Sequence, residues 1–270
     1  MAKKIGLALG GGSALGNAHL GVLQSFADHG IPIDCIAGTS AGAVVAACYA
    51  FGVSIEKMQS AAEQLNWRAI SKFLPSKLGI ISNEALANVL EDVLGGDRRI
   101  EKADMPLAIV ATDVGNGEKV VFRSGSVFAA VRASAAIPII FTPVMIGDKC
   151  FVDGGIVENV PMSGLAEMGA DIRIGVNLTH WMSHEMPKNM LDVMEKSIRI
   201  MSRYDVPPGD GDIMIVPRLD EYTSSDFQKG REIAAHGYRA ATLKIPEIKR
   251  LIGARESESL FRQFSRWFRG

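Results

Sequence analysis

The segment Ile31–Gly52, IPIDCIAGTSAGAVVAACYAFG, decides the fold because it joins a strand pattern to a helix pattern through a tight turn. Ile31–Ile36 predicts a strand, and Ala41–Phe51 predicts a helix. A helix this apolar must be buried on most sides. The intervening Gly38-Thr-Ser-Ala-Gly42 has the Gly-x-Ser-x-Gly pattern of a strand-to-helix turn that presents a serine hydroxyl at the helix N-terminus. Ser40 is therefore a candidate nucleophile.

Strands and helices alternate on both sides of this segment. Ile5–Leu9 predicts a strand, which a glycine-rich turn joins to a helix ending at Gly30. Two further helices follow the capping residues Ser54 and Ser82. More strands are predicted at Leu107–Ala111, Lys119–Phe122, Phe151–Val152, Ile172–Asn177 and Ile213–Val216. This order predicts an α/β fold, with a single domain over residues 1–270 and a mainly parallel central sheet flanked by helices.

Composition narrows the class of protein. The chain has 270 residues, 47% of them hydrophobic and 22% charged, which is enough to bury a substantial core. Its net charge of −1 provides no positive field for nucleic acid, so we expect no nucleic-acid partner. Three cysteines without paired spacing indicate reduced thiols. Because no secretory or membrane-spanning pattern is apparent, we expect a cytoplasmic protein.

The loop Gly10-Gly-Gly-Ser-Ala-Leu-Gly16 has three possible interpretations. A P-loop would need lysine directly after the closing glycine, where Asn17 stands. A dinucleotide-binding loop fits only loosely, because the glycine spacing is off by one and no acidic residue ends the second strand. The third interpretation is an oxyanion hole, whose backbone N–H groups would face Ser40 from the end of an adjacent strand.

A serine nucleophile needs a base, and two candidates fit the pattern. Asp153-Gly-Gly155 places a carboxylate at a strand end, although it could also be a reverse turn in which Asp153 bonds its own backbone. An aspartate serves as a base at neutral pH only where a dry pocket raises its pKa. His180 would complete the Ser-Asp-His order of α/β-hydrolases, but those enzymes place several strands before the nucleophile and Ser40 follows only the second.

Six short motifs, taken in order, make the sequence similar to a known family. They are Leu7-Ala-Leu-Gly-Gly-Gly12, His19-Leu-Gly-Val-Leu23, Gly38-Thr-Ser-Ala-Gly42, Ala111-Thr-Asp113, Arg132-Ala-Ser-Ala-Ala-Ile-Pro138 and Val152-Asp-Gly-Gly155. Over residues 5 to 180 the chain resembles the patatin-like phospholipases, particularly the compact bacterial group. The resemblance implies a Ser-Asp dyad without histidine, in which Ser40 is the nucleophile and Asp153 the base. It also implies that Gly11, Gly12 and Ser13 supply the oxyanion hole. Because no cluster of His, Asp and Glu has metal-ligand spacing, we expect no metal, and we expect no cofactor.

The glycine loop departs from the family pattern, which reads Gly-Gly-Gly-x-Arg/Lys-Gly. Aligned on Gly16, Ser13 replaces the third glycine and Leu15 replaces the basic residue. If residue 13 must be left-handed, Ser13 is strained by about 1–2 kcal/mol relative to glycine. We expect the departure to weaken oxyanion stabilisation and to leave the fold unchanged.

The resemblance implies a serine acyl-ester hydrolase of lipids, of the phospholipase A or lysophospholipase type. A lipid-binding or regulatory protein with a weakened site, or an acyltransferase, is the alternative. Residues 257–269 form a possible amphipathic helix with an apolar face made of Leu260, Phe261, Phe264, Trp267 and Phe268. That face predicts either peripheral membrane contact or packing on the core or on a second subunit.

Overall fold

The structure is a computed structural model that describes residues 3–66, 72–76, 79–180 and 211–267, with isolated positions between 186 and 209. Side chains are described in these ranges except at 72–76, 80 and 254–267. The strands are β1 Ile5–Leu9, β2 Cys35–Thr39, β3 Lys72–Ser76, β4 Gly79–Ser82, β5 Leu107–Asp113, β6 Glu118–Phe122, β7 Val144–Ile146, β8 Lys149–Asp153, β9 Ile172–Val176 and β10 Ile213–Ile215. The α-helices are α1 Asn17–His29, α2 Ala41–Ala50, α3 Ile55–Gln64, α4 Glu84–Leu94, α5 Val127–Ser134, α6 Met162–Glu167 and α7 Gly230–Trp267.

One sheet contains eight of these strands, in the order β10-β9-β1-β2-β5-β8-β7, with β6 also paired to β5. The five strands from β10 to β5 are parallel to one another, and every residue of β1, β2 and β5 is buried. Near-continuous apolar strands are typical of a parallel sheet covered on both faces. The predicted α/β fold with a mainly parallel sheet is confirmed, and β6, β7 and β8 extend that sheet in antiparallel pairing.

Two strands meet end to end beside β5. Along one edge of β5, β2 pairs as far as Thr39 opposite Val110, and β8 pairs from Asp153 opposite Ala111. Because β2 is parallel to β5 and β8 is antiparallel, the carboxyl-terminal ends of β2 and β8 converge on one point. The sheet thereby brings together Asp153, at the end of β8, and Ser40, which directly follows β2.

The beginning of β2 differs from the prediction. The Ile31 amide donates to the Phe26 carbonyl at 2.9 Å, which closes helix α1. The Asp34 side chain accepts from the Ile5 amide at 2.7 Å. These bonds make residues 31–34 a connecting turn, so the strand begins at Cys35 and the predicted strand start at Ile31 was wrong.

Helix α2 lies against β1, β2 and β5 and is surrounded by α1, α3, α4 and α5. This central position explains why its sequence is almost wholly apolar, and it confirms the predicted burial. The helix therefore begins inside the protein, at the point where β2 ends.

The carboxyl-terminal helix α7 extends to Trp267, so its backbone covers most of the predicted amphipathic segment 257–269. The side chains of residues 254–267 and all of residues 268–270 lie outside the described part of the chain. The apolar face listed for Leu260 to Phe268 therefore stays a prediction. Within the described residues, no helix is long and apolar enough to span a bilayer.

Candidate active site

Ser40 occupies a strained turn between β2 and α2. Its φ of 53° and ψ of −122° lie in a region of backbone conformation that residues other than glycine rarely adopt. The Ser40 amide donates to the Ser134 hydroxyl at 2.8 Å, and that hydroxyl donates to the Val110 carbonyl at 2.6 Å. Helix α5, through Ser134, and strand β5, through Val110, therefore hold the turn in place. Ser40 lies at the N-terminus of α2.

The second glycine of the Gly-x-Ser-x-Gly pattern permits a close contact between α2 and β1. A Cβ atom on Gly42 would lie 2.0 Å from the Leu9 carbonyl oxygen, so no side chain fits there. The same approach brings the start of α2 beside Gly10, whose carbonyl oxygen would lie 2.8 Å from that Cβ. The pattern thus places Ser40 next to the glycine loop that follows β1.

Asp153 ends β8 and is 6% exposed. Its Oδ1 accepts from the Gly155 amide at 2.8 Å, and its carboxylate makes a side-chain hydrogen bond with Ser40. Burial raises the pKa of Asp153 to about 6, although both hydrogen bonds act to lower it. The local turn around Asp153 and its contact with Ser40 therefore coexist, and the carboxyl group titrates close to neutral pH.

The glycine loop passes directly over Ser40, since a Cβ atom on Gly11 would lie 3.1 Å from the Ser40 Cβ. The Gly11 amide donates to Asn159, at 3.3 Å to its carbonyl oxygen and 3.1 Å to its Oδ1. In the described part of the chain, the amides of Gly12 and Ser13 donate to no protein group. Of the three predicted oxyanion donors, Gly12 and Ser13 therefore have N–H groups without an acceptor among the described residues, whereas the Gly11 N–H group already has one.

The two unusual residues of this loop behave differently. Ser13 adopts φ 53°, the left-handed conformation that the family's glycine would favour. Leu15 is 1% exposed and packs in the main hydrophobic core. A basic side chain at position 15 would bury its charge there, so Leu15 acts in packing and the loop's departure from the family pattern reduces to the strain at Ser13.

Among the histidines that the structure describes, none is a hydrogen-bond partner of Asp153. His180 is exposed, and His236 lies with its Nε2 3.4 Å from the Tyr222 hydroxyl. Burial lowers the pKa of His19 to about 4, so this imidazole is neutral, and its Nε2 donates to the Gly10 carbonyl at 2.7 Å. Among the causes that set the pKa of Asp153, none is a histidine.

An apolar cavity opens beside Ser40, and the empty space between its walls amounts to about 1030 Å³, part of which is open to solvent. Helices α2, α3 and α4 form most of its wall, which includes Val44, Met58, Leu86, Leu90, Ile137 and Phe141. Ser13 and Ser40 also line this cavity. A cavity lined mostly by apolar side chains with a few polar residues suits a ligand with a polar group and a long hydrocarbon chain.

The family model for patatin-like phospholipases matches residues 7–166, which is more than half of the chain. The chain belongs to the patatin-like phospholipase family. This patatin-like chain is 38% identical over 178 residues to an uncharacterised NTE family protein of Mycobacterium tuberculosis, covering 65% of this chain and 49% of that protein. It is 24% identical over 274 residues to the lysophospholipase NTE1 of Phaeosphaeria nodorum, covering 88% of this chain and 18% of that protein.

A solved structure supports the fold of the patatin-like chain. VipD from Legionella pneumophila superposes with a TM-score of 0.54 at 14% sequence identity, covering 92% of this chain and 67% of that one. At that identity the likeness shows the fold alone. The patatin-like chain spans about half the length of the mycobacterial relatives, and less of the fungal one.

Two residues of the site have no counterpart in the sequence-based prediction. Ser134 supports the Ser40 turn, and Asn159 binds the glycine loop. Ser134 lies inside one of the motifs that carry the family resemblance, which is the one feature that could have drawn attention to it. Asn159 follows Gly155 by four residues in a loop, and a single asparagine there forms no recognisable pattern.

Proposed function

We propose that the chain is a serine hydrolase that cleaves acyl esters of lipids, of the phospholipase A or lysophospholipase type. The observation that carries this proposal is the contact between Ser40, on a strained turn, and Asp153, whose buried carboxyl has a pKa of about 6. Both residues lie at the end of the sheet where the apolar cavity opens. Family membership and the lysophospholipase name of one relative agree with this assignment.

In the proposed reaction, the ionised Asp153 accepts the proton of the Ser40 hydroxyl as Oγ attacks the ester carbonyl carbon. The carbonyl oxygen becomes an oxyanion, which the amides of Gly12 and Ser13 and the N-terminus of α2 stabilise. The bond to the alcohol then breaks, and Asp153 returns its proton to the leaving oxygen. Ser40 is left carrying the acyl group.

The second half of the reaction uses the same residues. Asp153 accepts a proton from a water molecule, whose oxygen attacks the acyl-Ser40 carbonyl. Collapse of the second tetrahedral intermediate releases the fatty acid and returns the proton to Ser40. We propose that the acyl chain occupies the apolar cavity throughout the reaction. Contact between the hydrocarbon chain and the aliphatic side chains of the cavity removes apolar surface from water, which stabilises the bound state.

A lipid substrate also gives the C-terminal segment a role. We propose that residues 257–269 make peripheral contact with the membrane through the apolar face described above. The support is the spacing of five large apolar residues with arginines off that face.

Labelling with a fluorophosphonate probe, together with hydrolysis of a short-chain ester and a lysophospholipid, tests the proposal. Ser40→Ala should abolish labelling and hydrolysis, and Asp153→Asn should lower the catalytic rate by roughly a thousandfold. The control Ser54→Ala removes a serine that only caps α3, and it should label normally. Equal labelling of wild type and Ser40→Ala would exclude Ser40 as the nucleophile.

The product analysis separates the alternatives. A lipid-binding protein would retain lysophospholipid without releasing fatty acid, and an acyltransferase would transfer the acyl group to an added alcohol in preference to water. Release of free fatty acid that depends on Ser40 is the outcome expected for a hydrolase.

A further inference from the structure

Asn159 connects three loops at the carboxyl-terminal edge of the sheet. Its Oδ1 and its carbonyl oxygen both accept from the Gly11 amide, and its Nδ2 donates to the Thr179 hydroxyl at 3.2 Å. A Cβ atom on Gly155 would lie 3.1 Å from its Oδ1, so the side chain also packs against the loop of the proposed base. The Asn159 side chain is 4% exposed. We propose that Asn159 is a positioning residue that orients the oxyanion loop.

The orientation of the Asn159 amide follows from its neighbours. Asn177 Oδ1 accepts from the Thr179 amide at 2.9 Å and from the Thr179 hydroxyl at 3.1 Å. Since the Thr179 hydroxyl has one proton and donates it to Asn177, it can only accept from Asn159. The Asn159 amide group therefore directs its NH₂ to Thr179 and its oxygen to Gly11.

This oxygen determines which N–H groups of the loop remain available. Gly10 is held on both sides, by its amide to the Val176 carbonyl at 3.1 Å and by its carbonyl to His19. Asn159 fixes the next peptide unit by taking the Gly11 amide. With Gly10 and Gly11 fixed, the chain direction into Gly12 and Ser13 is set, and theirs are the loop amides that no described group occupies.

The loop that carries Asn159 is itself anchored at the preceding residue. The Glu158 carbonyl accepts from the Thr39 hydroxyl at 3.0 Å, one residue before Ser40. The buried Glu158 carboxylate accepts from Lys119 Nζ at 3.0 Å and from the Ser163 amide at 2.9 Å. Asn159 therefore lies in a loop that is held in place by several hydrogen bonds, one of them to β2, the strand that precedes Ser40. A positioning residue requires such a fixed support.

The inference rests on the proposed function, and Ser40→Ala in the same assay tests that function separately. Asn159→Leu keeps the side-chain size and removes the side-chain acceptor for the Gly11 amide, which then has only the longer bond to the carbonyl oxygen of residue 159, at 3.3 Å. We expect kcat to fall roughly a hundredfold, in the range seen when one oxyanion donor is lost, while KM changes by less than about threefold.

A pair of inhibitors distinguishes loss of oxyanion stabilisation from a general loss of packing, because a packing defect would weaken both inhibitors equally. An alkyl trifluoromethyl ketone forms a tetrahedral oxyanion with the serine, whereas the matching alcohol binds without one. Asn159→Leu should weaken the ketone by about the same factor as kcat/KM and leave the affinity for the alcohol within about twofold.

Asn177→Leu makes the same substitution one step further from the oxyanion loop, at the residue that orients Asn159 through Thr179, and it leaves both acceptors of the Gly11 amide in place. We expect it to lower kcat by less than about tenfold. If Asn159→Leu does not fold, Asn159→Ala gives the same comparison without added bulk. Ketone and alcohol affinities that fall equally, or a kcat within threefold of wild type in a folded variant with Ser40-dependent activity, would overturn the role of Asn159.

Discussion

Replacing Asp153 by asparagine should stabilise the folded protein at neutral pH while removing most of its activity. Burial raises the pKa of this carboxyl from 3.8 to about 6, so the folded state holds the ionised form at a cost. The shift of roughly 2 units corresponds to about 3 kcal/mol at 1.36 kcal/mol per unit. Asparagine avoids this cost and can still accept from the Gly155 amide through its Oδ1.

The stability that Asp153→Asn gains over wild type should increase as the pH rises. A carboxyl whose folded-state pKa is raised contributes stability that is fully present below its unfolded pKa and lost as pH rises through the folded value. The advantage of Asp153→Asn over wild type should therefore be about 3 kcal/mol at pH 8, about half of that at pH 5, and close to zero below roughly pH 3.5.

Denaturant unfolding of both proteins at pH 8 and pH 5 measures this difference. Asp113→Asn is the control, because Asp113 is also buried but its carboxylate is paired with Lys149 at 3.3 Å and accepts from Gly115 at 3.0 Å. Removing that paired carboxylate should not stabilise the protein. An Asp153→Asn variant that is less stable than wild type at pH 8, or equally stabilised at both pH values, would refute the burial argument.

Four further predictions concern the same site and its surroundings. The kcat/KM for a short-chain ester should fall about tenfold per pH unit below pH 6, since Asp153 must be ionised to act as a base, and a profile flat to pH 4 would contradict that role. His180→Ala should leave kcat within about threefold of wild type, because this histidine is exposed; a thousandfold loss in the folded variant would restore the triad. Ser13→Gly should raise the free energy of unfolding by about 1 kcal/mol, because glycine adopts a positive φ without strain. Leu15→Arg should lower the free energy of unfolding by about 3–5 kcal/mol, because it buries an unpaired charge. Denaturant unfolding measures both changes. Truncation after Glu256 should reduce co-sedimentation with anionic vesicles and leave hydrolysis of a soluble ester unchanged; vesicle binding equal to that of the full chain would remove the membrane role.

The motifs in the sequence were sufficient to predict the family and the type of fold. The strand-turn-helix around Ser40 depends on local rules, because glycines and a short apolar strand favour the same turn wherever they occur. The alternation of strands and helices likewise predicts a mainly parallel sheet, and the structure confirms it. The motifs identify both Ser40 and Asp153 as candidates, although the two residues are more than a hundred positions apart.

The motifs do not predict that Ser40 and Asp153 are close together. Their proximity depends on how strands from distant parts of the chain share one edge of β5. A parallel β2 and an antiparallel β8 end at adjacent residues of that strand, Val110 and Ala111. No local feature of either strand encodes this register, which follows from packing of the whole sheet.

Leu15 and Asn159 show the same division between local pattern and tertiary contact. As a departure from the family pattern, Leu15 suggested a weakened catalytic loop, but the structure buries it in the core. Asn159 belongs to no recognisable sequence motif, yet its amide oxygen accepts from the Gly11 N–H group, 148 positions away in the sequence. Local backbone preferences are encoded by neighbouring residues, whereas the burial of a side chain and the partner of a buried polar group are decided only when the tertiary structure assembles around them.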